Sequence, residues 1–318
     1  MTTNPKSYNG VFLVNKPVGW TSHDVVAKLR GIISQRRIGH TGTLDPLASG
    51  LLVVCVGRAT KIAQFLSGHD KTYEAEICLG MTSPTFDGEG ITEDQTSAEI
   101  ADLTTDQIES LLDNYRGTIT QKVPAYSAVR VDGQRLHRLA RKQVDVDLPQ
   151  REVEIKELEL LDYTKPLLRL RVSCSKGTYI RSLADDIGRD WGCGGYLAGL
   201  TRTTVGNFQL SDALTLEEVT KRHADGSLDE SLLPFDRALH CGALTVTEDF
   251  RPGVLSGASL TRRDIAAVEG NFMAGDSVFL KDSEGEVLAI GKAMVAANSI
   301  TDSAHNGNTL FDYIRVLN

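Results

Sequence analysis

The chain has 318 residues, 41% of them hydrophobic and 24% charged, with a formal net charge of −8 at pH 7. That size predicts two domains, or one large domain with an appendage, and the composition is that of a soluble globular chain with a sizeable core. No apolar run approaches the roughly 20 residues of a membrane span, the polar first ten residues do not read as a secretory leader, and the five scattered cysteines form no C-x-x-C pair and no zinc spacing, so reduced thiols, no metal and a cytoplasmic setting are expected.

In chain order, the β-branched and aromatic run 11–14 predicts a strand. Thr21-Ser22-His23-Asp24 before the apolar spacing Val25, Val26, Leu29, Ile32, Ile33 predicts a capped amphipathic helix. Residues 38–50, rich in Gly, Thr and Pro, predict a loop, and the apolar run 51–56 a buried strand. A helix is expected over 60–66. The alternation of Tyr73, Ala75, Ile77 and Leu79 with Thr72, Glu74 and Glu76 predicts a strand with one wet face. The acidic stretch 88–106 predicts a loop leading into a helix over 106–115. Loop and strand follow over 118–130, then a short basic helix over 134–142. Paired strands are expected over 153–163 and 167–173, a helix over 180–191 ended by Gly192, Gly194 and Gly195, and a strand over 199–210. Near 231–241 the character changes to short strands (243–246, 277–280, 287–292, 311–316) with a hairpin turn at 282–285. Without a regular βαβ rhythm, the prediction is an α+β fold: a mixed, largely antiparallel sheet flanked by helices, with a small β-rich domain at its C-terminal end.

The net acidity weighs mildly against a nucleic-acid partner, but distribution matters more than the sum. Acid dominates 87–113, 145–159 and 212–236; base dominates 28–37 and 122–142. The second basic run carries Lys122, Arg130, Arg135, Arg138, Arg141 and Lys142, with Tyr126 and His137 among them. Alone, such a run is a solvated helix face; with support from elsewhere it is a phosphate-facing surface.

The most informative stretch is Gly39-His40-Thr41-Gly42-Thr43-Leu44-Asp45-Pro46-Leu47-Ala48-Ser49-Gly50. Three glycines and a proline hold an acidic residue in a stiff loop against a buried strand, an arrangement that is costly unless the carboxylate is paired or used. This stretch closely resembles the catalytic-aspartate motif of the TruB family of tRNA pseudouridine synthases. Further segments resemble that family in its own order: Asn15-Lys16-Pro17-Val18-Gly19-Trp20-Thr21-Ser22, Gly57-Arg58-Ala59-Thr60-Lys61, Lys71-Thr72-Tyr73, Ser175-Lys176-Gly177-Thr178-Tyr179-Ile180-Arg181, and Leu200-Thr201-Arg202-Thr203-Thr204-Val205-Gly206. Together they span roughly the first two-thirds of the chain.

The resemblance implies a pseudouridine synthase fold over 1–240, with an RNA-clasping insertion near 120–150, and a PUA-like RNA-binding domain over 241–318. It implies isomerisation of the uridine at position 55 in the T-loop of tRNA. Asp45 is the expected nucleophile, Arg181 the cation that keeps it ionised, and Tyr73 the ring that stacks on the base and serves proton transfer at C5. Whether Asp45 attacks C1′ or the base, or abstracts a sugar proton, is left open by the sequence. His40 is expected to stack where the flipped base had been, and Tyr179 and Leu200 to line the uridine pocket. For Lys16 and Lys61, phosphate contact and support of the loop both remain open. No cofactor is expected: G-x-x-x-x-G-K-[ST], G-x-G-x-x-G and H-E-x-x-H are all absent. The expected partner is the tRNA T-stem-loop, met by a monomer with no protein partner and no membrane. The rival readings are a guide-RNA-dependent pseudouridine synthase and a non-catalytic tRNA-binding or folding protein.

Overall fold

The computed structural model describes residues 7–89, 100, 102–142, 144, 146–300 and 307–317, so part of the predicted acidic loop 88–106 lies outside the described residues. The elements, in order, are β1 (Gly10–Lys16), α1 (Ser22–Ile33), β2 (Ile38–His40), β3 (Ala48–Val56), α2 (Ala63–Leu66), β4 (Lys71–Leu79), α3 (Thr105–Leu112), β5 (Gly117–Lys122), β6 (Arg130–Val131), β7 (Gln134–Arg135), α4 (Leu136–Arg141), β8 (Gln150–Thr164), β9 (Leu167–Cys174), α5 (Ile180–Asp190), β10 (Gly195–Val205) and β11 (Phe208–Gln209). Then come α6 (Leu216–Asp225), α7 (Phe235–Ala238), β12 (Gly242–Val246), α8 (Arg251–Ser256), β13 (Ile265–Glu269), β14 (Ser277–Lys281), β15 (Val287–Ala293) and β16 (Phe311–Val316).

The larger sheet runs β1-β3-β10-β4-β9-β8-β5, with β2 added to β3 and β11 to β10. Only the β3–β10 pair is parallel, so the sheet is mixed and largely antiparallel, as expected. β3 is buried along almost its whole length because both its faces are covered. Its residues alternate between two apolar clusters: Leu51, Val53 and Cys55 enter one, Leu52, Val54 and Val56 the other. β4 alternates as predicted, with Lys71 joining Tyr73, Ala75, Ile77 and Leu79 on the covered face. At its N-terminus α1 has a full capping box between Thr21 and Asp24 and buries Val25, Val26, Leu29 and Ile33.

Several boundaries differ from the sequence pattern. The loop predicted over 38–50 contains β2 and the first residues of β3, because pairing with residues 54–56 and with β10 extends the backbone where local composition favours turns. The helix expected over 60–66 is a 3-10 turn over Gly57–Lys61 followed by the single turn α2. The basic helix over 134–142 opens as a tight hairpin, β6–β7, turning on Asp132 and Gly133 with φ of +50° and +79°, and only then becomes α4. Gly195 does not cap α5 but starts β10, whose approach to the helix is close enough that a Cβ on Gly188 would lie 2.1 Å from the Gly195 nitrogen. Helix α6 lies in a stretch read only as acidic, although Thr215 and Glu218 form a capping box there.

The C-terminal sheet runs β13-β12-β14-β15-β16, with β12 and β14 parallel. It contains the four predicted strands and one more, β13, which follows the 3-10 turn Arg262–Asp264. It does not hang free. Phe279, Val287, Ile290 and Leu317 share one apolar cluster with Val11, Leu13, Leu51 and Val53. Arg58 meets Glu286 at 2.5 Å, and Glu286 also takes Arg251 at 3.0 Å. Among the described residues no helix is long and apolar enough to cross a membrane.

Candidate active site

Asp45 sits between β2 and β3, on a loop tied down from several directions. Ser22 donates its hydroxyl to the Leu44 carbonyl (3.1 Å) and accepts from the Leu44 N–H (2.8 Å). The Gly19 N–H reaches the Pro46 carbonyl at 2.8 Å. Arg202 donates from Nη2 to the Gly42 carbonyl at 3.1 Å and from Nε to the Leu51 carbonyl at 2.7 Å. Gly50 closes the loop at φ +99°, where a Cβ would meet the Arg202 carbonyl oxygen at 2.4 Å; only glycine fits that crossing.

Arg181, in the first turn of α5, is buried and points at this loop. Its Nε lies 3.0 Å from Asp45 Oδ2, an ion pair whose N–H is not aimed along the contact. Nη1 donates to Asp87 Oδ2 (3.1 Å) and to the Thr85 carbonyl (3.3 Å), and Nη2 donates to the Tyr126 carbonyl (3.1 Å). One guanidinium therefore joins two carboxylates and the start of the basic insertion. The two carboxylates differ in access: the Asp45 side chain is 42% exposed and that of Asp87 is 7% exposed. Asp87 spends its other oxygen on the Thr85 hydroxyl (2.6 Å) and the Glu89 N–H (3.0 Å). The arrangement holds a half-exposed carboxylate, charge-balanced from within by a cation that a second carboxylate anchors, and so is open to nucleophilic chemistry.

Tyr73 on β4 faces Arg202 across the β4–β10 pairing and is buried. Burial pushes its phenol pKa up, and the hydrogen-bonded Arg202 guanidinium opposes this. Arg202 is itself 2% exposed, with no carboxylate within ion-pair distance among the described residues. Lys71, also buried, donates its ammonium to the Ser67 carbonyl (3.0 Å) and to the His69 carbonyl, and burial lowers its pKa. In a chain of net charge −8, the floor of this site is thus cationic.

Lys16 is fully buried and donates to the carbonyls of Pro17 (2.9 Å) and Trp20 (2.6 Å). Of the two roles open to it, its geometry serves the loop. Burial pulls its pKa down to about 8, against an attraction from Asp45. The unfolded lysine, at 10.5, then holds a proton that the folded one has released between about pH 8 and 10.5, so this group makes the protein more stable as pH rises through that window. Lys16→Met lacks that rise. The difference in unfolding free energy, wild type minus variant, should grow from pH 8 to 10.5 in denaturant titrations; a difference independent of pH counts against a strained ammonium.

The other sequence candidates divide. His40, on β2, is half-buried, with Nδ1 sealed and unpartnered among the described residues, and its ring meets His23 edge-on at 5.6 Å. Burial first, then His23 and Arg202, lower its pKa and favour the neutral ring. Tyr179 precedes α5, its backbone clamped by the Gln121 amide at 3.0 and 2.9 Å and its ring 5.2 Å from the Arg151 guanidinium. Leu200 lies opposite Ala48 in the parallel pair, next to the Asp45 loop. Lys61 stands elsewhere: its ammonium donates to the Val316 carbonyl of the C-terminal sheet at 3.0 Å. Sequence reasoning missed Asp87, Arg202 and Gln121. For Asp87 the local sign is a Thr-x-Asp-Gly turn, hidden in an acidic stretch; Arg202 lies in the segment 200–206, in which the resemblance singles out Leu200.

The basic insertion folds beside this site. His137 N–H and Nδ1 both meet the Ser127 carbonyl, at 3.1 and 2.9 Å. A cleft of about 290 Å³ is lined by Arg130, Gly133, Gln134, Arg135, Arg138 and Lys142.

The family model "TruB family pseudouridylate synthase (N terminal domain)" matches residues 30–180, "tRNA pseudouridylate synthase B C-terminal domain" matches 181–240, and "PUA domain" matches 242–307. The tRNA pseudouridine synthase B of Geobacillus thermodenitrificans is 44% identical over 261 residues, covering 79% of this chain and 85% of that protein. That of Staphylococcus aureus is 38% identical over 290 residues, covering 89% and 94%. Among solved structures, a chain of the crystal structure of a Cbf5-Nop10-Gar1 complex superposes with a TM-score of 0.73 at 27% identity, covering 97% of this chain and 85% of that one. Family models along the chain and relatives this similar over most of its length lead to one conclusion: the chain belongs to the TruB family of pseudouridylate synthases.

Proposed function

We propose that this protein isomerises the uridine at position 55 in the T-loop of tRNA to pseudouridine, with Asp45 as nucleophile. The observation that carries the reading is the Asp45–Arg181 ion pair at 3.0 Å, with Tyr73 inside the same apolar cluster as Leu44 and Ala48 of the Asp45 loop. The reaction conserves every atom. The N1–C1′ bond breaks and leaves its electron pair on N1, the uracil turns, C5 bonds to C1′, the C5 proton leaves as the C5=C6 double bond is restored, and N1 takes up a proton in its place. Asp45 supplies the electron pair that takes over the ribosyl group or engages the base, and Tyr73 is the group beside it able to move the proton. The half-open access of Asp45 suits a substrate that enters from solvent and then excludes water. His40 fills the gap left by the extruded base, while Tyr179 and Leu200 line the pocket. The same reading has the protein acting as a cytoplasmic monomer without a cofactor, its catalytic part being residues 1–240 and its PUA part 241–318.

Purified protein incubated with unmodified tRNA alone tests this. Pseudouridine at position 55 is the expected product; activity only after a guide RNA or further proteins are added would favour the guide-dependent reading, and the superposed Cbf5-Nop10-Gar1 chain is one solved within a complex. The closer sequence likeness, 38–44% against 27%, is to proteins named for tRNA.

RNA binding through the insertion has its own test. Each phosphate contact contributes about 0.7–0.9 to the slope of log affinity against log salt. Arg135→Ala with Arg138→Ala should flatten that slope by roughly 1–2 in filter binding at 50–200 mM salt. An unchanged slope would place the phosphates elsewhere.

A further inference from the structure

The loop joining β1 to α1 holds large apolar side chains out in solvent next to the Asp45 loop. Val18 is 63% exposed and Trp20 36% exposed. The backbone under them is nonetheless fixed. The buried Lys16 ammonium holds the Pro17 and Trp20 carbonyls, although burying a cation is costly. Gly19 bonds to Pro46, and Ser22 bonds twice to Leu44, so residues 19–22 are stapled along residues 44–46. At the second residue of α1, His23 meets the ring of His40. Trp20 therefore stands on the rim from which an RNA must approach Asp45. An indole 36% exposed on so firmly anchored a backbone leaves apolar surface in water that a partner would cover favourably.

We propose that Trp20, backed by Val18, is a stacking platform for an unpaired base of the substrate RNA next to the extruded uridine. This rests on the proposed RNA substrate and adds a binding residue to it. The occupant follows from position: the lip is continuous with the surface that the RNA covers, and every base presents a flat face to an aromatic ring. An indole brings a large face with few rotamers to order. Because only looped or frayed RNA offers an unpaired base, the platform favours a stem-loop over a plain duplex.

The chain has two tryptophans, and the other, Trp191, packs against Tyr163 at 6.2 Å between ring centroids. Trp191→Phe thus leaves Trp20 as the reporting indole. Unmodified tRNA should quench its emission and saturate with the Kd given by filter binding, while an RNA duplex without unpaired bases should not quench it. Trp20→Ala should weaken tRNA binding about tenfold and raise KM with little change in kcat, whereas Trp20→Phe should stay within about threefold of wild type. Should Trp20→Ala fail to fold, as judged by circular dichroism, the quenching titration and Trp20→Phe decide. Absent quenching with an unchanged Kd, in a preparation whose wild type modifies tRNA, overturns the platform and leaves the enzyme reading intact. A wild type that neither binds nor modifies tRNA removes both. Self-association lost in Trp20→Ala with RNA binding intact, seen by sedimentation velocity, assigns the lip to a second copy and also overturns the proposal.

Discussion

Asp45→Asn is expected to abolish pseudouridine formation, by roughly 10⁴-fold or more, while tRNA still binds with wild-type affinity or slightly better. Asparagine keeps the size of the side chain and its place on a loop held by Ser22, Arg202 and the Gly19–Pro46 bond. What it removes is the negative charge, and with it the nucleophilic electron pair that the proposed function assigns to Asp45. The fold should tolerate the change. The Asp45 carboxylate is 42% exposed, and an ion pair with so accessible a partner contributes at most about 1 kcal/mol. Arg181 also keeps Asp87, Thr85 and Tyr126 as partners. Single-turnover assays on unmodified tRNA measure the loss. A tRNA carrying 5-fluorouridine at the target adds a chemical check, since the wild type should give an adduct or a rearranged product and the variant neither. Activity within tenfold of wild type would remove Asp45 from the chemistry, and a large fall in melting temperature would recast it as a structural residue.

The elements legible in the sequence are those whose determinants are local. α1 carries its cap and its stripe within thirteen residues, from Thr21 to Ile33, and β4 shows its covered face as simple alternation. The Asp45 loop is legible for another reason: residues 39–50 resemble a family motif along their whole length, whereas their composition alone fits a turn-capping aspartate equally well. What local pattern does not carry is which distant polar groups meet. Asp87 and Arg181 are 94 residues apart, and nothing in the acidic run around Asp87 separates a buried carboxylate from solvated ones. Arg202 is buried because β10 runs beside both β3 and β4, a consequence of sheet order. Lys61 illustrates the opposite case. Its motif follows β3 in sequence, yet that turn faces β16, and its ammonium serves the contact between the two sheets. Strand ends depart from the local pattern where pairing with a neighbour, as at Ala48 and Gly195, extends backbone that glycine and proline would otherwise leave irregular.

Arg181→Met should lower activity by about 10²–10³-fold or more, and destabilise the protein by about 3–5 kcal/mol, the first because Asp45 loses its cation and the second because Asp87 is left charged and buried. These two effects have different owners, and a second substitution separates them. Asp87 is 7% exposed and faces Arg181 directly at 3.1 Å, so most of the stability cost belongs to that carboxylate. Adding Asp87→Leu to Arg181→Met removes the unpaired charge and should recover most of the lost stability. It should recover none of the activity, because Asp45 still lacks the guanidinium at 3.0 Å. Asp87→Leu alone should be worse for stability than the double variant, since it leaves a buried guanidinium with only the half-open Asp45 to balance it. Denaturant midpoints and single-turnover rates on the four proteins of this cycle give the coupling energy. If the double variant regains activity along with stability, Arg181 is an internal strut and not the counterion of the reaction. If it regains neither, the Thr85 and Tyr126 carbonyls, which Arg181 also holds, are what the guanidinium chiefly organises, and the basic insertion beginning at Tyr126 should then lose its docking, seen as faster hydrogen exchange over residues 126–142.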